Sequence, residues 1–321
     1  MKNHAAGFAA VITILNGLCL SPACAETIGT LTKGQSNPIV RGVRVGSETM
    51  AAKLGDQSTH FVPRTENSVP EQISLVEDVV RAKPDALVFS PSDPKALLPA
   101  MEKFNAAGIA VVNVIDRLEG GGGAIAYVGT DDYDLAVTAA RYLFKAMGGK
   151  GNVVMLEGPP NLVTSVARSR GFNDALKEAP DIKLLGAKSA NYARPVAQQT
   201  MRDFLRAFPQ IDGVLAANDP MAIGANDALK AAGKKALVIG INGSTEVLDL
   251  IKSGDILASG DYNGYIQGCI ATEIAIRHLH KQDAPKEVIL KSVMVDKSNI
   301  EPYETPVIKR TCPTLDSVAK K

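Results

Sequence analysis

Two segments of the chain are built to the same plan. Phe89-Ser90-Pro91-Ser92-Asp93-Pro94 opens a helical stretch that ends in Ala106-Ala107-Gly108, and the apolar run after it ends at Asp116. Ala216-Ala217-Asn218-Asp219-Pro220 opens another, ending in Ala231-Ala232-Gly233, and the run after it ends at Asn242. In each, Asp is placed to cap a helix and Pro to occupy its first turn, where a missing N–H costs nothing. Gly is placed to stop the helix in a left-handed conformation. Chance gives Asp-Pro twice readily, but not the same cap, length, stop and strand. The repeat constrains the fold to two similar α/β lobes. It makes Asp116 and Asn242 equivalent, both at C-terminal strand ends, where open α/β sheets bind ligands.

The rest of the chain fits that frame. Strands are expected at Ile28–Lys33, Thr59–Pro63, Asp85–Ser90, Ile109–Asp116, Ile125–Thr130, Asn152–Glu157, Ile182–Ser189, Gly213–Asn218, Ala236–Asn242, Ile256–Asp261 and Val288–Val295. Helical periodicity fills most of the gaps, as in Asp93–Ala107, where Leu97, Leu98, Met101 and Phe104 form one stripe. Alternation of this kind reads as a mostly parallel α/β fold. A boundary is expected near Gly129-Thr130, with Thr130 and Asp131 capping a helix over Asp132–Met147.

Composition narrows the function. Lys and Arg number 35 against 34 Asp and Glu, too balanced for a nucleic-acid binder that works through a basic face. No apolar run reaches the roughly 18 residues of a membrane span. Lys2, the apolar stretch Ala5 to Leu20 and the small-residue exit Ala23-Cys24-Ala25 have the order of a signal peptide cut after Ala25. A lipid anchor at Cys24 fits less well, because Ser21 stands where a Leu-like residue is expected. Removing residues 1–25 takes away Lys2 and leaves an uncharged total. It also leaves only Cys269 and Cys312, which in an oxidising compartment either pair or remain thiols.

Motifs for chemistry are weak. Gly148-Gly149-Lys150-Gly151 lacks the spacing of a phosphate loop. His278 and His280 are two apart on a helix and point to different faces. There is no Gly-x-Ser-x-Gly elbow, and the paired carboxylates Asp131-Asp132 are explained as capping. No catalytic constellation, metal site or cofactor site is expected. What remains is a set of polar residues at element ends: Asn37 before Pro38, Asp116-Arg117, Arg168, Asn218-Asp219 and Asn242-Gly243. Gathered in one crevice, carboxylate, amide and guanidinium groups suit a ligand whose hydroxyls both donate and accept.

Those residues carry a resemblance to the periplasmic sugar-binding proteins of bacterial ABC importers, the ribose-binding type in particular. The markers are Asn37-Pro38, Asp116-Arg117, Arg168 four before Phe172, Asn218-Asp219 and Gly240-x-Asn242-Gly243. The resemblance implies two α/β lobes joined by three crossings, near Gly129-Thr130, Tyr262-Asn263 and Lys291-Ser292. One lobe is expected to hold 26–129 plus 263–291, the other 130–262 plus 292–321. It implies sugar-facing roles for Asn37, Ile39, Val40, Asp116, Arg117, Arg168, Tyr192, Asn218, Asn242 and Tyr262. Ile39 and Val40 stand where the family carries aromatics, Asn242 where it carries a carboxylate, and Tyr262 where it carries an amide. These departures point away from ribose itself and toward a polyol or another pentose, with a sugar acid behind. The implied protein is a periplasmic monomer that catalyses nothing, closes on its ligand and meets an inner-membrane ABC permease. The alternative is a ligand-sensing partner of a membrane receptor or sensor kinase.

Overall fold

The computed structural model describes residues 25–319, so nearly all of the expected leader lies outside the described residues. The first elements are β1 (Thr27–Leu31), α1 (Pro38–Leu54), β2 (Gln57–Phe61), α2 (Val69–Ala82), β3 (Ala86–Phe89), α3 (Leu98–Ala106), β4 (Ala110–Val114) and β5 (Ala126–Thr130). Then come α4 (Asp132–Ala146), β6 (Gly151–Glu157), α5 (Val163–Lys177), β7 (Ile182–Ser189), α6 (Arg194–Ala207), β8 (Gly213–Ala216), α7 (Asp219–Ala231) and β9 (Leu237–Asn242). The chain ends with α8 (Thr245–Ser253), β10 (Ala258–Asp261), α9 (Gly264–Leu279), β11 (Glu287–Leu290), β12 (Val293–Val295), α10 (Glu301–Glu304), a 3-10 turn at Val307–Lys309 and α11 (Leu315–Ala319). No helix among the described residues is long and apolar enough to cross a membrane.

The strands form two six-stranded sheets, ordered β2-β1-β3-β4-β5-β11 and β7-β6-β8-β9-β10-β12. Shifting each of the first five strands by five gives the second order, so the repeat seen in sequence is a repeat of topology. β4 and β9, which lead to Asp116 and Asn242, hold the same place in their sheets. Every pairing is parallel except β10 with β12. The central strands β3 and β8 are buried throughout, as expected for parallel sheet covered on both faces.

In the first lobe the covering helices α1 and α9 approach at backbone distance. A Cβ added at Gly46 would stand 2.1 Å from the Tyr265 carbonyl oxygen, and one at Gly268 would stand 2.1 Å from that of Val43. Only glycine permits that contact.

Four local expectations change. The helix after Asp93 starts at Leu98. Pro99 has no N–H to give Lys95, so Asp93 caps only a turn, accepting from Lys95 and Ala96 N–H. In the second repeat the cap is Asn218, which accepts from Met221 N–H at 2.9 Å, and Asp219 is buried. The expected strand Val288–Val295 is two strands, β11 beside β5 and β12 beside β10, with Lys291-Ser292 carrying the chain between sheets. Residue alternation cannot register a change of sheet.

The fourth change concerns residues 292–321, all expected in the second lobe. Among the described residues, the Val307–Lys309 turn lies on α1 and α11 on α9, both of the first lobe, and Cys312 is disulfide-bonded to Cys269 of α9 with 5.6 Å between Cα atoms. The two remaining cysteines therefore pair. The bridge closes a loop of 43 residues, which in chain-entropy terms stabilises by about 4 kcal/mol.

Candidate ligand-binding cleft

Between the lobes lies a cavity of about 380 Å³, the size of a small-molecule site. From the first lobe it is lined by the β1–α1 loop and the start of α1: Lys33, Ser36, Asn37, Pro38, Ile39 and Val40. Asn37 caps α1 by accepting from Ile39 N–H at 2.9 Å. The loop is clamped from two sides. Glu66 accepts from the backbone N–H groups of Gln35 and Ser36. Arg44 donates to Thr32 Oγ1 and to the carbonyls of Gly34 and Gln35.

Asp116 is nearly buried and forms an ion pair with Lys33. It follows Ile115, whose φ of 65° is a left-handed conformation that β-branched residues rarely adopt. Gln267 holds that turn by accepting from Ile115 N–H at 3.2 Å while its amide nitrogen donates to the Tyr262 carbonyl. The same turn sends the next side chain outward. Arg117 is half exposed, lies 4.1 Å over the Tyr127 ring and pairs with Glu287. It does not reach the cavity, contrary to the sequence expectation.

From the second lobe come Arg168, Tyr192, Asn218 and Asn242, with Tyr262 on the crossing after β10. Arg168 is 5% exposed. Its Nε donates to Asp132 Oδ1 at 2.7 Å and its Nη1 to the Ala217 carbonyl at 2.7 Å. Its guanidinium lies 4.9 Å from the Tyr262 ring centroid and 5.7 Å from that of Tyr192. Tyr262 Oη donates to Asp132 Oδ2 at 3.0 Å.

Burial pushes the Asp132 carboxyl up and Arg168 pulls it back. Burial also opposes the charge on Arg168, but Asp132 overrides that and keeps its pKa above the ordinary value. Asp132 was grouped with the expected cap Asp131 as a capping pair. The cap is Asp131, which accepts from Tyr133 and Asp134 N–H, leaving Asp132 free to turn inward.

Asn218 is already used, as a helix cap and as donor to the Tyr192 carbonyl at 3.1 Å. Its amide positions Tyr192. Asn242 lines the cavity at the end of β9. Behind it, Asp219 anchors the turn by accepting from Ser244 N–H at 2.8 Å and from Ser259 Oγ at 2.5 Å.

Eight of the ten expected site residues line the cavity; Asp116 is not in its lining but pairs with Lys33, which is. Sequence reasoning missed Lys33, Glu66, Asp132 and Gln267. Among the described residues, eight other than glycine have positive φ, and Asn67, Ile115, Asn191, Tyr192 and Asn242 of these line the cavity. Strained backbone concentrates where geometry must be held for function.

Two doubly wound lobes with a polar cleft at their strand ends define a two-lobed ligand-binding protein. Residues 28–283 match the family model for a periplasmic binding protein domain. The chain is 28% identical over 301 residues to a D-apiose import binding protein of Paraburkholderia graminis, covering 93% of this chain and 96% of that one. It is 30% identical over 256 residues to a xylitol-binding protein of Mycolicibacterium smegmatis, covering 79% and 73%. An ABC transporter periplasmic solute-binding protein of Actinobacillus succinogenes, solved with D-allose, superposes with a TM-score of 0.81 at 34% identity, covering 86% of this chain and 99% of that one. The chain belongs to the periplasmic binding protein family, with the type I fold.

Proposed function

We propose that the cleft captures one small neutral pentose or polyol and that the closed protein delivers it to an inner-membrane ABC permease from the periplasm. One observation carries the choice of ligand class. Both cations of the cavity wall are already neutralised, Lys33 by Asp116 and Arg168 by Asp132. The other charged side chains of the lining, Glu66 and Glu246, are anionic. A sugar acid would meet no unpaired cation and two carboxylates. A polyhydroxylated neutral ligand is offered both donors and acceptors. Ile39 and Val40 give a narrow apolar wall in place of broad aromatic faces.

The proposed lobes are 26–129 plus 263–291 and 130–262 plus 292–306, with closure about the three crossings. Relatives named for apiose, a pentose, and xylitol, a five-carbon polyol, support the ligand class. A binding role also fits a site without a nucleophile and base, and the reading includes no turnover. The test is a thermal-shift panel of pentoses, hexoses, four- to six-carbon polyols and sugar acids on the purified protein. A ligand at about 1,000 times its Kd adds about 4 kcal/mol, which raises the Tm by several degrees. A neutral pentose or polyol is expected to do this. A shift given only by hexoses, only by sugar acids, or by none of the panel refutes the reading.

A further inference from the structure

The tail leaves the second lobe and re-enters the first. On the second-lobe side, Tyr303 Oη donates to Asp261 Oδ2 at 2.8 Å, and Glu304 pairs with Lys252 of α8. On the first-lobe side, the Val307–Lys309 turn lies against α1. Tyr265 Oη donates to the Arg310 carbonyl at 2.6 Å, and Lys53 Nζ donates to the Cys312 carbonyl at 3.1 Å. Cys312 is joined to Cys269, and Leu315 N–H donates to Glu273 Oε2 at 2.7 Å.

Only Thr305 and Pro306 separate the two attachments. Three Cα steps reach at most about 11 Å, and proline removes one soft dihedral. Arg310 stiffens the link further, donating to the carbonyls of Tyr303 at 2.6 Å and Thr305 at 2.8 Å. The link walls a second cavity of about 520 Å³, which shares Pro38, Ile39 and Asn242 with the ligand cleft. It therefore lies directly behind residues that face the ligand.

We propose that residues 301–319 form a fourth crossing between the lobes, a short strap locked to α9 by the Cys269–Cys312 disulfide, that limits how far the cleft opens. Three crossings alone leave the lobes free to rotate about strand ends. A taut fourth connection behind the cleft makes large rotations break the contacts of Tyr303 and Glu304, because the covalent end cannot yield. The strap narrows the range of open forms that the ligand-free protein samples. It thereby sets how much motion binding must suppress.

The test measures lobe separation in ligand-free protein by pulsed electron–electron resonance. Spin labels are placed at Glu102→Cys on α3 and Lys177→Cys on α5, both exposed. A Gly-Ser-Gly-Ser insertion between Thr305 and Pro306 keeps the disulfide and both attachments but adds about 13 Å of reach. It is expected to widen the distance distribution by about 5 Å or more. The Cys269→Ser/Cys312→Ser double variant is expected to widen it as well. An insertion variant with the parent's distribution overturns the proposal, whatever the serine variant does, since the strap then sets no limit.

Discussion

The Arg168–Asp132 pair is the element of the cleft whose energetics are most open to direct test. The charges lie in hydrogen-bond contact, 2.7 Å between Nε and Oδ1, with side chains 6% and 11% exposed. Two unit charges about 4 Å apart at an effective dielectric near 20 attract by about 4 kcal/mol. Removing one partner loses that attraction and strands the other charge, a cost of about 3–5 kcal/mol. Asp132→Leu and Arg168→Met are each expected to lower the Tm by roughly 10 °C, taking about 2–4 °C per kcal/mol for a protein of this size. The double variant replaces the pair by apolar side chains and is expected to recover at least about 2 kcal/mol relative to the sum of the singles. It should nevertheless fail to bind the ligand identified by thermal shift, because Arg168 is gone. Urea unfolding followed by circular dichroism gives the four stabilities of the cycle. Additive effects, with a double variant as unstable as the two singles summed, would refute the coupling of these charges.

Three further outcomes follow from the same structure. Arg117→Ala is expected to leave ligand affinity within about twofold and stability within about 1 kcal/mol, as an exposed pair does. A tenfold loss of affinity by calorimetry would place Arg117 in the site after all. Gly46→Ala is expected to destabilise by about 1–3 kcal/mol through the collision with the Tyr265 carbonyl, and an unchanged urea midpoint would contradict the close packing of α1 on α9. Burial pushes the Asp261 carboxyl up to about 6, against the Asn263 N–H and Tyr303 O–H bonds that favour the carboxylate. A folded pKa above the unfolded one means the folded state holds the proton more tightly. This contribution is greatest below pH about 4 and is lost as pH rises through about 6, a range of about 3 kcal/mol. Asp261→Asn should remove it, so the Tm of the variant relative to the parent rises between pH 4 and 7. A constant difference across that range would rule it out.

The parts of this molecule that sequence made legible are those set by local chemistry. Asp219-Pro220 and Gly233 announce a helix through capping and turn preferences that depend on a few neighbours, although the cap itself is Asn218, and the same logic applied twice gave the equivalence of β4 and β9. The residues it missed owe their roles to distant partners. Lys33 lies 83 residues from Asp116, and Asp132 lies 36 from Arg168; nothing near either residue signals the pairing. Arg117 stands beside Asp116 in the motif that carries the resemblance, but the left-handed turn at Ile115 sends Asp116 inward and Arg117 out. The tail escaped for a related reason: after β12 its path is set by one disulfide and a few side-chain contacts, not by periodicity.

The interlacing of the lobes bears on the order in which the chain can become a protein. The first lobe takes α9 and β11 from residues 264–290, after the whole second sheet except β12 has been made. Until then β5 has an open edge and the glycine face of α1 has nothing to lie against. The lobe that starts first therefore finishes late, through contacts of high sequence separation that form slowly. A nascent chain stays incompletely folded until almost all of it has emerged, the condition in which a polypeptide can still be threaded across a membrane.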